Sequence, residues 1–153
     1  MDFSNLDLLA KFLEEKIDKS LKRETAQVVV KTMQQHIKSD VYPLYSPDMY
    51  QREYYRGGLL DPDNIEIQVT NTGISVENVR DNTTDEDYNG HYRNVAEIVE
   101  TGENYNWTAS RIYKDPFPRP FTENTREELR TSNILEQAMK DGLNRQGIDA
   151  RLK

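Results

Sequence analysis

Leu6, Leu9, Leu13, Ile17 and Leu21 recur at helical spacing, while Lys11, Glu14, Glu15, Lys19 and Lys22 take the other face. That is the period of an amphipathic helix. Ser4, followed by Asp7, is the expected start signal. The pattern resumes at Ala26, Val30, Met33 and Ile37, with Thr25, Val28 and Val29 widening the apolar sector. No Gly or Pro lies between residues 4 and 42. Two arrangements satisfy this: one long or bent helix to about residue 38, or a break near Lys22 to Thr25. A continuous helix of about 35 residues would span about 52 Å, so one end would project or pack on a neighbour.

From Val41 to Leu60 the chain reads VYPLYSPDMYQREYYRGGLL. Pro43 and Pro47 stop the helix, and Gly57-Gly58 supplies a flexible tip. Tyr42, Tyr45, Tyr50, Tyr54 and Tyr55 crowd this window. They cover an edge of the core, form an arm that docks on another subunit, because Tyr and Arg are favoured at interfaces, or, as a more distant reading, make a sugar- or base-stacking platform. After the turn signal Asp61-Pro62-Asp63-Asn64, Ile65, Ile67 and Val69 alternate with polar residues. Asn71-Thr72-Gly73 is turn chemistry, and Ile74 and Val76 continue beyond it. This predicts a β-hairpin with one buried face.

Arg80 to Arg93 reads as a polar loop. Asp85, Asp87, Asn89 and Gly90 match the start of a calcium loop, but the position of the bidentate Glu is Ala96. A solvated acidic loop is the better reading. Val95, Ala96, Ile98 and Val99 are too few to tell helix from strand by period. A loop with Tyr105 and Trp107 follows, and then Pro116, Pro118 and Pro120 alternate with Phe117, Arg119 and Phe121. The prolines make this a stiff extended strap. Thr122 is the expected N-cap of a C-terminal helix over 122–146, with Leu129, Leu135, Met139 and Leu143 inward and Gly147 as its stop.

The chain has 153 residues, 35% hydrophobic and 31% charged, which suits one domain over 1–153 with a thin core. Its parts are 1–40 helical, 41–62 Tyr-rich loop, 63–80 hairpin, 94–121 apolar segment and strap, and 122–146 helix. A thin core leaves apolar surface to be buried between subunits. The net charge of -7 argues against a phosphate-binding surface. The absence of Cys excludes disulfide and thiol chemistry. No apolar run approaches bilayer length, and MDFSNLDLLAKF lacks a basic signal region. Only His36 and His91 are present, so no H-x-x-x-H zinc site can form, and there is no P-loop, G-x-G-x-x-G or G-x-S-x-G. The sequence therefore points to no enzyme, no cofactor and no metal.

The order of these parts is similar to that of the tail-completion or head–tail joining proteins of tailed bacteriophages. Val99-Glu100-Thr101-Gly102 and Pro116-Phe117-Pro118-Arg119-Pro120-Phe121 stand where that family has segments of the type VEFGT and PFLRPA. The Thr-Gly order is inverted, and Pro118 replaces the usual Leu. Tyr45 to Ile65 resembles the variant common in phages of Gram-positive bacteria.

The resemblance implies an α+β protomer, with long N- and C-terminal helices on a small antiparallel sheet. It implies a structural virion protein of the neck, assembled in the host cytoplasm into a ring, usually a hexamer. That ring would join the head-closure or connector proteins to the tail tube or tail terminator, with DNA passing through its lumen and no membrane partner. A tail terminator or head-closure stopper is the alternative, and a calcium-dependent binding module or small hydrolase the more distant one. The candidate contact residues are Tyr42, Tyr45, Tyr50, Tyr54, Tyr55, Tyr105, Trp107, Phe117, Arg119 and Phe121, with Trp107 and the strap expected between subunits.

Overall fold

A computed structural model describes residues 5–44, 46, 51–70, 73–86, 92–104 and 117–152. Helix α1 (Leu6–Ser20) starts where the Asn5 side chain accepts the N–H of Leu8 at 2.9 Å. The cap expected at Ser4 lies outside the described residues. Helix α1 runs into a π-helical turn, Leu21–Thr25, then α2 (Ala26–His36) and a second π-helical turn, Ile37–Val41. Ser20 and Thr25 both keep right-handed helical angles, so the candidate break is a widened turn in one unbroken rod. The extra residue shifts the buried face. Buried positions step five residues from Ser20 to Thr25, then continue through Ala26, Met33, Ile37 and Val41.

Those last three side chains form one wall of the core with Leu59, Leu60, Ile65, Ala96, Val99 and Phe121. The segment before the hairpin is tied to this wall by side-chain amides. Gln34 donates to the Leu60 carbonyl at 2.7 Å, and buried Asn78 donates to that of Leu59 at 2.8 Å. These bonds satisfy carbonyls that water cannot reach.

Strands β1 (Ile65–Thr70) and β2 (Gly73–Asn78) pair antiparallel, with Ile67 opposite Val76 and Val69 opposite Ile74. The hairpin is as predicted, but its apolar face is buried only at the base. Ile65 is buried, whereas Ile67 and Val69 are 41% and 37% exposed. The hairpin packs on the Leu21–Thr25 turn and α2, which are too narrow to cover its full length.

The expected polar loop carries two further antiparallel strands, β3 (Asp81–Glu86) and β4 (Tyr92–Asn94), with a bulge between their pairings. Their composition is polar, so hydropathy gives no sign of them. The short apolar segment is a helix, α3 (Val95–Thr101), because the Asn94 side chain caps it by accepting the Glu97 N–H at 3.0 Å.

The predicted C-terminal helix is two helices, α4 (Phe121–Thr131) and α5 (Ile134–Arg145). Ser132 is extended at the break, where Ser-Asn competes with helical hydrogen bonding. Helix α4 packs on α2, and α5 packs on α1 and the first π-helical turn. Gly142 permits the second contact, since a Cβ there would lie 2.8 Å from the Ser20 Cβ. Gln146 then donates to the Lys16 carbonyl and the Ser20 hydroxyl, both at 2.8 Å. The result is α+β: a long helix and a C-terminal helix pair against small antiparallel strands. Among the described residues no helix is long and apolar enough to cross a membrane.

Candidate functional site

The strap meets the Val99-Glu100-Thr101-Gly102 segment at the end of α3. Gly102 ends that helix in the left-handed region, with φ of 72°. A Cβ on it would lie 2.5 Å from the carbonyl carbon of Phe117. Glycine is thus required twice, for its angle and for the close passage of the strap. Beyond the crossing, the Arg119 N–H donates to the Val99 carbonyl at 3.0 Å. The Glu100 carboxylate then accepts the N–H groups of Thr122 at 2.8 Å and Glu123 at 3.1 Å. Thr122 is inside α4, and Pro120 occupies the cap position with no capping side chain. Glu100 supplies the negative charge that a helix N-terminus favours.

This junction corrects the expectation for two contact residues. Phe121 is 0% exposed and Arg119 only 3%. Both are interior residues of the protomer, so neither offers a docking surface. Phe117 is half-buried, with the Arg119 guanidinium 5.7 Å from its ring centre. Alternating prolines stiffen a strap equally well whether its aromatics point inward or outward, so composition cannot distinguish the two. Tyr45, Tyr50, Tyr105 and Trp107 lie outside the described residues, as do Asp87, Asn89, Gly90 and His91.

The other three tyrosines form a connected surface. Tyr42 packs against the core and makes an edge-on contact with Tyr54, their centroids 5.2 Å apart. The Arg52 guanidinium stacks 4.7 Å from the Tyr42 ring centre and donates to the Tyr42 carbonyl at 3.0 Å. Lys38 lies 5.4 Å from the centre of the Tyr55 ring. Tyr54 and Tyr55 are about half exposed. Tyr54 holds a left-handed φ of 45°, an uncommon angle for a residue with a Cβ. Asp61 secures the loop by accepting the N–H groups of Gly57 and Asp63, which hold its carboxyl below the usual carboxylate range. Tyr42 therefore lies on the core, as the first reading of this loop expects, while Tyr54 and Tyr55 are presented outward.

Apolar side chains also remain uncovered on α1 and on the hairpin. Helix α1 buries only one flank of its apolar sector against α5. Leu6 is 82% exposed, Ile17 41% and Leu13 37%. The hairpin, with Ile67 and Val69 uncovered, packs on the turn that immediately follows α1. The signal for this patch was the projected rod, since a helix longer than the core leaves part of its apolar face unmatched.

An open groove of about 590 Å³ lies between β2, α3 and the start of α4, lined by Glu77, Glu97, Glu100, Glu123 and Arg126 among others. Glu100 is engaged in capping there. No three His, Asp or Glu side chains among the described residues converge in a metal-binding cluster.

Comparison with known proteins places this architecture in a lineage. The chain is 35% identical over 122 residues to the SPbeta prophage-derived uncharacterized protein YomN of Bacillus subtilis (strain 168), covering 80% of this chain and 78% of that protein. No solved structure matches. The YomN family profile aligns with residues 5–145, from the α1 cap to the end of α5, and the chain belongs to the YomN family.

Proposed function

We propose that this chain is a structural subunit of the phage neck, forming a ring that joins the head connector to the tail tube. The observation that carries the proposal is the set of uncovered apolar side chains, Leu6, Leu13 and Ile17 on α1 and Ile67 and Val69 on the hairpin. Apolar patches rimmed by charge mark protein contacts. Each such side chain contributes about 1.5–3 kcal/mol when fully buried. Relationship to a prophage-derived protein supports a phage setting, and the sequence order of the Val99–Gly102 and Pro116–Phe121 segments is similar to that of head–tail joining proteins. Exposed Tyr54 and Tyr55 provide a second contact area. The charge of -7 suits a ring through which DNA passes without sticking. No catalytic role, cofactor or metal is assigned.

Two experiments test this. Electron microscopy of phage lacking the protein is expected to show filled heads beside finished, unjoined tails. Leaking empty heads would reassign it as a stopper, overlong tubes would reassign it as a terminator, and normal particles would refute a neck role. The double variant Leu13→Lys, Ile17→Lys is expected to remain folded, as circular dichroism would show, yet fail to restore joining. Full restoration by that variant would remove the α1 patch as the contact.

A further inference from the structure

His36 lies at the end of α2, with 19% of its side chain exposed. Its Nδ1 is 2.7 Å from Asp40 Oδ2, and its Nε2 is 2.9 Å from Glu128 Oε2 on α4. Asp40 Oδ2 also accepts from Asn124 Nδ2 at 2.9 Å, and its other oxygen accepts from Ser39 Oγ at 2.6 Å. Two carboxylates from separate elements therefore face opposite edges of one imidazole.

An ionised carboxylate only accepts hydrogen bonds, and a neutral imidazole carries one N–H. The neutral ring can serve one of these acids and must turn a lone pair to the other. The imidazolium donates to both. The remaining charges nearby are engaged elsewhere. Lys38 stands over Tyr55, Arg130 pairs with Glu127, and Arg126 pairs with Glu123. Among the described residues no Lys or Arg lies within ion-pair distance of Asp40 or Glu128. With His36 neutral, neither acid has a counter-charge among the described residues.

We propose that His36 is a proton-dependent latch that clamps α4 to the long helix. With the ring doubly protonated, Asp40–His36–Glu128 forms a continuous bridge across the seam. Loss of one proton opens one of the two contacts and leaves like charges on either side. Helix α4 also carries Phe121 into the core and follows the strap directly, so the latch sets how firmly this unit is held. His is suited to the role because its charge changes between about pH 5 and 8.

The test uses the full chain. The unfolding equilibrium constant of the wild type is expected to rise between about pH 5.5 and 8 relative to that of His36→Gln, a modest change because Glu128 is partly exposed. His36→Gln should flatten that dependence and Glu128→Gln should reduce it, while His91→Gln should leave it intact. Hydrogen-exchange protection of α4 should fall over the same range by more than that of α5. Ring 15N shifts of His36 should show the doubly protonated form at the acid end. Unchanged pH dependence in both His36→Gln and Glu128→Gln, or a neutral His36 ring throughout, would overturn the latch. So would loss of the dependence in His91→Gln alone.

Discussion

Glu100 caps a helix that begins more than twenty residues later, its carboxylate accepting the N–H of Thr122 at 2.8 Å and of Glu123 at 3.1 Å. Replacing a capping side chain with Ala typically costs about 0.5–2 kcal/mol. Glu100→Ala is expected to lower stability by about 1 kcal/mol in urea denaturation. Glu100→Gln should retain part of this, because one oxygen remains. A wild-type midpoint in Glu100→Ala would show that water replaces the cap without loss.

Gly102 is the most constrained glycine in the junction. Gly102→Ala adds a Cβ at φ of 72° and places it 2.5 Å from the Phe117 carbonyl carbon. The left-handed angle alone costs about 1 kcal/mol, and displacing the strap adds to it. The expected loss is about 2–4 kcal/mol by thermal or chemical unfolding. Gly73→Ala is the control, since nothing lies within 4 Å of a Cβ there. Equal losses in the two variants would contradict the close passage.

Phe121 and the exposed tyrosines should separate by burial. Phe121→Ala removes a ring that is 0% exposed, and changes of this kind cost about 3–5 kcal/mol. Tyr55→Ala removes a ring that is 50% exposed and should shift stability by less than about 1 kcal/mol. Denaturation of both variants under identical conditions measures the contrast.

Asp40 predicts behaviour in acid. Burial alone would raise its carboxyl, but hydrogen bonds from Ser39, Asn124 and His36, with the charge of His36, outweigh it and hold the group below the usual carboxylate value. A carboxyl depressed by folding stabilises above its unfolded value, and that contribution is lost as pH falls through the folded value. Stability of the wild type should therefore drop below about pH 4. Asp40→Asn should be less stable at neutral pH and lose less on acidification. A variant whose acid profile parallels the wild type would refute this assignment.

Local pattern was enough for those elements whose burial follows a simple period. The N-terminal apolar face, the hairpin over Ile65 to Val76 and the stop at Gly147 were all legible, because they depend on neighbours within a few residues, whereas the choice between one rod and a break near Thr25 was left to the structure. Strands β3 and β4 were not legible, because their residues are polar and the pairing is set by backbone geometry. The two-helix ending is marked in the sequence only by the lapse of apolar residues from Arg130 to Asn133, a gap too short to distinguish a break from an exposed turn of one helix.

The sequence alone determined the class of the molecule: an acidic, cysteine-free α+β chain with an amphipathic helical N-terminal region and a proline-stiffened strap. Tertiary structure decided where that strap points. Phe121 and Arg119 turn inward because Gly102 lets the strap cross α3 and the Val99 carbonyl and Glu100 carboxylate hold it there. It also decided which apolar residues stay uncovered. Leu13 and Leu129 look alike as members of helical stripes, but only the positions of the partner helices leave Leu13 more exposed than Leu129. Period specifies which face of an element is apolar, and only packing specifies how much of that face is covered.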